Sequence, residues 1–127
     1  MIKKIIKADK APQPIGPYHQ AVATDHLVFT AGQIAIDPAT NQICTGGIAE
    51  QTRMVLTNLK VVLEAAGSSL DKVLKVTIFL KDMDDFPIMN TVYGEFFKSD
   101  TAPARATVEV SRLPKDALVE IEAVAGV

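Results

Sequence analysis

The run Val73-Leu74-Lys75-Val76-Thr77-Ile78-Phe79-Leu80 constrains this chain more than any other segment. It is rich in β-branched and aromatic residues, as strands are, and it stands between two segments of helical period. Before it, from about Ile48 to Ala66, a single stripe collects Ile48, Thr52, Val55, Leu56, Leu59, Val62 and Leu63, with Glu50, Arg53, Lys60 and Glu64 off it. Gly67 is placed to stop that helix as its C′ residue. After the run, Asp84 or Asp85 can cap a second helix with Pro87 in its first turn and Met89, Val92, Tyr93, Phe96 and Phe97 as its apolar stripe. Two helices can cover only one face of a sheet. The 73–80 run is too apolar on both sides to leave the other face in water. Association through the uncovered face is the economical answer, so a closed homo-oligomer is expected.

The remaining segments are shorter. Residues 2–7 read as a first strand. Pro12, Pro14, Gly16 and Pro17 then force an extended, irregular loop, because proline fixes its own φ and biases the residue before it. Two strands follow near 18–24 and 27–36, joined by a turn at Asp25-His26, and Asp37-Pro38-Ala39-Thr40-Asn41 is a turn cluster. Strands over 104–111 and 118–125 close the chain. The order β-β-β-α-β-α-β-β predicts an α+β layer, a mixed sheet of about six strands with two helices packed on one face. With 127 residues and no repeat, low-complexity tract or linker, residues 1–127 are expected to form one domain.

Chemistry concentrates in the last two strands. In Ala104-Arg105-Ala106-Thr107-Val108-Glu109-Val110 successive side chains alternate faces, so Arg105, Thr107 and Glu109 oppose the alanines and valines. In Leu118-Val119-Glu120-Ile121-Glu122-Ala123-Val124-Ala125 the pair Glu120 and Glu122 shares a face. The reading places Arg105, Thr107, Glu120 and Glu122 together on the face that the helices leave bare. An arginine fork matches a carboxylate in two parallel bonds, and Ala104 and Ala106 leave room for something small. Composition alone favours the plainer alternative, an ion pair of Arg105 with Glu109, Glu120 or Glu122. A partly buried glutamate beside another can carry a raised pKa and move a proton. Tyr18, at the end of the proline loop, can wall a pocket or anchor the loop. Gly32, within Thr30-Ala31-Gly32-Gln33, marks either a close backbone approach or simple sheet packing. Asn90 reads as a surface residue of the second helix.

Several function classes are set aside. A formal net charge of −2 offers no basic surface for nucleic acid. Paired carboxylates can bind metals, but no histidine cluster supports this, His19 and His26 being the only histidines, so no metal is expected. There is no Gly-rich phosphate loop, Ser-His-Asp set or CxxC. The single cysteine, Cys44, excludes an intrachain disulfide framework and fits a reducing compartment. With no signal-peptide core and no apolar stretch near membrane length, a soluble cytoplasmic protein without membrane association is expected.

Ile15-Gly16-Pro17-Tyr18, Thr30-Ala31-Gly32-Gln33-Ile34, Glu64-Ala65-Ala66-Gly67, Pro103-Ala104-Arg105 and Leu113-Pro114-Lys115, with Ile121-Glu122-Ala123, together resemble the reactive intermediate deaminase family (RidA, also called YjgF) from end to end. The resemblance implies a chorismate-mutase-like α+β fold and a homotrimer with clefts between subunits. It also implies cofactor-free hydrolysis of reactive enamines and imines such as 2-aminoacrylate to 2-oxo acids and ammonia. By the same resemblance Arg105 binds the substrate carboxylate, Glu120 positions water, and Tyr18, Gly32 and Asn90 line the pocket. The chain departs from the common family pattern at Ala106 and Thr107, where many members carry serine and cysteine, and at Ala31, where many carry serine. Thr107 still offers a hydroxyl and a backbone N–H. Two rival activities go with the family: an endoribonuclease or translation inhibitor, and a non-catalytic sensor of 2-oxo acids.

Overall fold

The computed structural model describes all residues, 1–127. Its main sheet has six strands: β1 (Lys4–Ile6), β2 (Ala21–Ala23), β3 (Leu27–Thr30), β6 (Val73–Leu80), β7 (Ala104–Glu109) and β8 (Val119–Gly126). Their spatial order is β1-β2-β3-β8-β6-β7. A small hairpin, β4 (Ile36–Asp37) and β5 (Gln42–Ile43), lies apart from it. Helices α1 (Ile48–Ala65) and α2 (Phe86–Phe96) follow β5 and β6 respectively. The sheet is mixed: β6 and β7 run parallel, as the α2 crossover requires, while β8 is antiparallel to both β3 and β6. The expected α+β layer is therefore present.

Each helix forms where its period predicts. Every member of the α1 stripe from Ile48 to Leu63 is buried. The helix ends in a Schellman motif: Gly67 takes φ +80, its N–H donates to the Glu64 carbonyl, and the Ser68 N–H donates to the Leu63 carbonyl. At the start of α2, Asp85 is the N-cap residue without a side-chain bond, and Pro87 lies in the first turn as expected. The aspartate side chain that caps here is Asp82, one turn earlier, accepting from the Asp84 N–H. Both helices cover the face carrying Val28, Val76, Ile78, Leu80, Val119, Ile121, Ala123 and Ala125, all buried in one continuous core. Burying an aliphatic side chain of this size contributes about 1.5–3 kcal/mol.

The opposite face has no covering layer. Along it run Phe29, Val124, Lys75 and Ala104 in one row, then Glu122, Thr77 and Ala106, then Glu120, Phe79 and Val108. Phe29 is 46% exposed and Val108 43%.

Three sequence expectations need correction. The strand near 27–36 breaks after Thr30. There the Thr30 hydroxyl accepts from the Ala123 N–H, and pairing with β8 resumes only at the isolated Gln33–Ile121 bridge. The strand near 18–24 starts only at Ala21, because the proline loop extends through His19. The third concerns the bare face: β6 lies between β7 and β8, and its register with β7 takes Arg105 and Thr107 off that face.

Candidate functional site

The third correction changes the site. On β6 Arg105 registers with Val76, and Thr107 with Ile78; both partners are core residues beneath the helices. Paired residues share a face. Arg105 and Thr107 therefore lie on the helix side, at the edge strand, and not on the bare face. Glu120 registers with Phe79, and Glu122 with Thr77, so the two glutamates are on the bare face as expected. Within one chain Arg105 and Glu120 point away from each other. Val76 pairs in turn with Ala123, so Glu120 sits about 10 Å further along β8 and two strands, about 10 Å, across.

Around Glu120 the chain forms a cleft of about 520 Å³. Tyr18, Ala31, Gly32, Gln33 and Ile34 line it together with the proline loop and Pro114-Lys115. Gly32 is there because of Glu120: a Cβ at Gly32 would come within 2.8 Å of the carboxyl carbon and of Oε1. Of the two readings of this glycine, close approach is the correct one, and what approaches is the carboxyl group. Burial pushes the Glu120 carboxyl above the ordinary glutamate range, and the Glu122 carboxylate adds to the shift.

The cleft wall depends on Gln20, which sequence reasoning missed. Its backbone carbonyl accepts from the Ala31 N–H at 2.8 Å. Its side chain is buried: Oε1 accepts from the Ala8 N–H at 2.6 Å, and Nε2 donates to the Ala8 and Pro12 carbonyls at 3.0 and 2.9 Å. One residue thus ties the proline loop to the glycine segment. The only available signal was a polar residue heading the apolar strand Ala21–Ala23.

Arg105 is held on the other side by α2. Its Nη1 donates to Asn90 Oδ1 at 2.7 Å, and its guanidinium carbon lies 4.7 Å from the Tyr93 ring centroid and 5.4 Å from that of Phe86. No carboxylate lies within ion-pair distance of it. The ion pair that composition favoured is therefore absent. Glu109 instead accepts from the Met83 N–H at 2.9 Å. Asn90, read as a surface residue, is exposed but serves as the partner of Arg105. Thr107 is half-buried on the Arg105 side, and Tyr18, Ala31 and Gly32 lie on the Glu120 side.

The predicted residues thus fall into two groups: a cleft that holds a raised-pKa carboxyl, and a cation fixed by α2. Neither contains a cluster of metal-ligating side chains, and no helix is long and apolar enough to cross a membrane.

Residues 8–127 match the family model described as Endoribonuclease L-PSP. The chain is 57% identical to a RutC family protein of Pyrococcus horikoshii, over 98% of both chains. It is 46% identical to a Bos taurus 2-iminobutanoate/2-iminopropanoate deaminase, covering 98% of this chain and 90% of the bovine one. Among solved structures, a Thermotoga maritima protein described as a putative endoribonuclease superposes with a TM-score of 0.95 at 48% identity, covering 99% of this chain and 98% of that one. Escherichia coli TdcF with bound serine superposes at 0.91 with 44% identity, covering 98% of each chain. With its fold and its matched span in agreement, this chain belongs to the L-PSP family of RidA/YjgF proteins.

Proposed function

We propose that this protein is a hydrolytic deaminase of reactive 2-enamine and 2-imine acids, such as 2-aminoacrylate, acting in a homotrimer whose clefts join two subunits. The observation that carries this reading is the split of the site. A carboxylate-matching cation without a countercharge and a raised-pKa carboxyl lie on opposite faces of one sheet. Only a second copy can bring them together, and the uncovered face of the sheet offers the surface for it. The relatives named as deaminases at 44–48% identity support the substrate class.

In this scheme Arg105 of one subunit clamps the substrate carboxylate through charge-assisted bonds of about 1.5–3 kcal/mol each. The enamine tautomerises to an imine. Water adds to the carbon of the protonated imine while Glu120 of the neighbouring subunit takes one of its protons, forming a neutral carbinolamine. Glu120 returns that proton to the nitrogen, the C–N bond breaks as the C=O forms, and the hydroxyl proton passes by way of Glu120 to the departing ammonia, so that the 2-oxo acid and ammonium leave. Backbone groups near Gly32 and Thr107 hold that nitrogen, and Tyr18, Ala31 and Asn90 shape the pocket. General-base assistance of this kind is typically worth about 10²–10⁴-fold. No cofactor enters, because the substrate is already activated.

The test is a dehydratase-coupled assay with a semicarbazide trap on wild type, Arg105→Ala and Glu120→Gln. Both variants should lose at least about a hundredfold in rate. Full activity in folded Arg105→Ala would sink the assignment. Tight 2-oxo acid binding without acceleration in the wild type would indicate a sensor instead. RNA cleavage abolished by Arg105→Ala would point to the endoribonuclease reading, against which the net charge of −2 argues.

A further inference from the structure

Three residues of α2 touch Arg105, and none of them carries a charge. Phe86, Asn90 and Tyr93 are spaced i, i+4 and i+7, so they share one face of the helix. The edge register of β7 turns Arg105 onto that face. Resting on the reading of Arg105 as the carboxylate clamp, we propose that Phe86 and Tyr93 are positioning residues. With Asn90 they form an uncharged cradle that fixes the guanidinium plane and leaves its whole positive charge for the ligand.

The fold places no countercharge beside Arg105. A carboxylate would hold an arginine as firmly, in a bidentate pair, but would spend the charge that a ligand needs. The carboxylates near this site are engaged elsewhere or face away. Glu109 is bonded to the Met83 N–H, Glu95 is held by Arg53 at 3.0 Å, and Glu120 and Glu122 are on the opposite face. Arginine is planar and weakly hydrated, so it stacks well on aromatic faces. Tyr93 at 4.7 Å and Phe86 at 5.4 Å orient it by the ring quadrupole alone, and an amide oxygen at 2.7 Å sets its rotation. Tyr93 itself stays neutral, since burial pushes its phenol up and the guanidinium only partly opposes that. Its hydroxyl is buried without a partner, as suits a residue retained for its ring.

The experiment measures binding of 2-oxobutanoate to the full protein by calorimetry, with thermal melts as the check on folding and KM and kcat for 2-aminoacrylate alongside. Asn90→Asp keeps the size and the hydrogen bond but adds a countercharge. It should weaken 2-oxobutanoate about tenfold or more while leaving the melting temperature equal or higher. Tyr93→Leu should weaken binding about five- to tenfold and raise KM more than it lowers kcat. Tyr93→Phe, which keeps the ring, should recover the affinity. If Arg105→Ala abolishes binding while Asn90→Asp and Tyr93→Leu bind like wild type, the cradle is wrong and the clamp stands. If Arg105→Ala binds like wild type, the clamp reading fails and the cradle with it. Should Tyr93→Leu fail to fold, Phe86→Leu takes its place: a loss of 2-oxobutanoate affinity with an unchanged melt supports the cradle, and wild-type binding overturns it.

Discussion

Glu120 carries the energetic tension of this molecule. Its folded-state pKa is raised, first by burial and then by Glu122, so the folded protein binds its proton more tightly than the unfolded chain does. Stability is therefore lost as pH climbs from the ordinary glutamate range through the raised value. Glu120→Gln removes that cost and should raise the melting temperature at neutral pH while abolishing turnover. Glu122→Gln should lower the Glu120 pKa and move the acid limb of the rate profile to lower pH. An acid limb that stays in place would remove Glu122 from the account. Gly32→Ala separates site from fold in another way. The added Cβ meets the flexible end of Glu120 at 2.8 Å, so the carboxyl gives way at little cost to stability. Turnover should fall about tenfold to a hundredfold with a nearly unchanged melt. At this scale the sequence was informative about residue type: an arginine between alanines and twin glutamates two apart were visible. It could not say that Asn90, and no carboxylate, would meet Arg105, because α2 and β7 come together only in space.

Among the elements, the helices and β6 were the most legible, because their periods are long and unbroken. Val73–Leu80 is found as predicted, and the α1 stripe is buried throughout. The segment from Ala8 to Gln33 was the least legible. Its strands are short, and its shape depends on side chain to backbone bonds between residues 12 apart. Gln20 is the member to test there. Gln20→Leu leaves the Ala8 N–H buried without its partner and removes the bond to the Pro12 carbonyl, at about 1–3 kcal/mol for each group left unpaired, while the Ala8 carbonyl keeps Gln13 Nε2 and the Ala11 N–H. A lower melting temperature with a raised KM is expected, since the loop that walls the cleft through Tyr18 comes loose. An unchanged KM would mean that the loop does not shape the site.

For the whole molecule, the two faces of the sheet set the consequence of largest reach. If each cleft takes Arg105 from one subunit and Glu120 from another, two inactive variants should rescue each other. Arg105→Ala and Glu120→Gln, unfolded together and refolded in equal amounts, should regain activity in about a quarter of the clefts, the fraction in which an intact arginine meets an intact glutamate. Mixed protein as inactive as either parent would exclude a shared site. The same mixture run on a sizing column reports the oligomer directly. Association through the bare face would also cover Phe29 and Val108, which are 46% and 43% exposed in the single chain.

What the sequence by itself determined was periodicity: which segments are helix or strand, which stripes are buried, and which titratable residues alternate with apolar ones. These are local properties, set by the 3.6- and two-residue repeats of the backbone. Strand order was decided by the tertiary structure alone. Placing β6 between the last two strands put Arg105 under α2 and Glu120 on the bare face. Alternation tells which side chains share a face within one strand, and only pairing between strands tells which faces coincide.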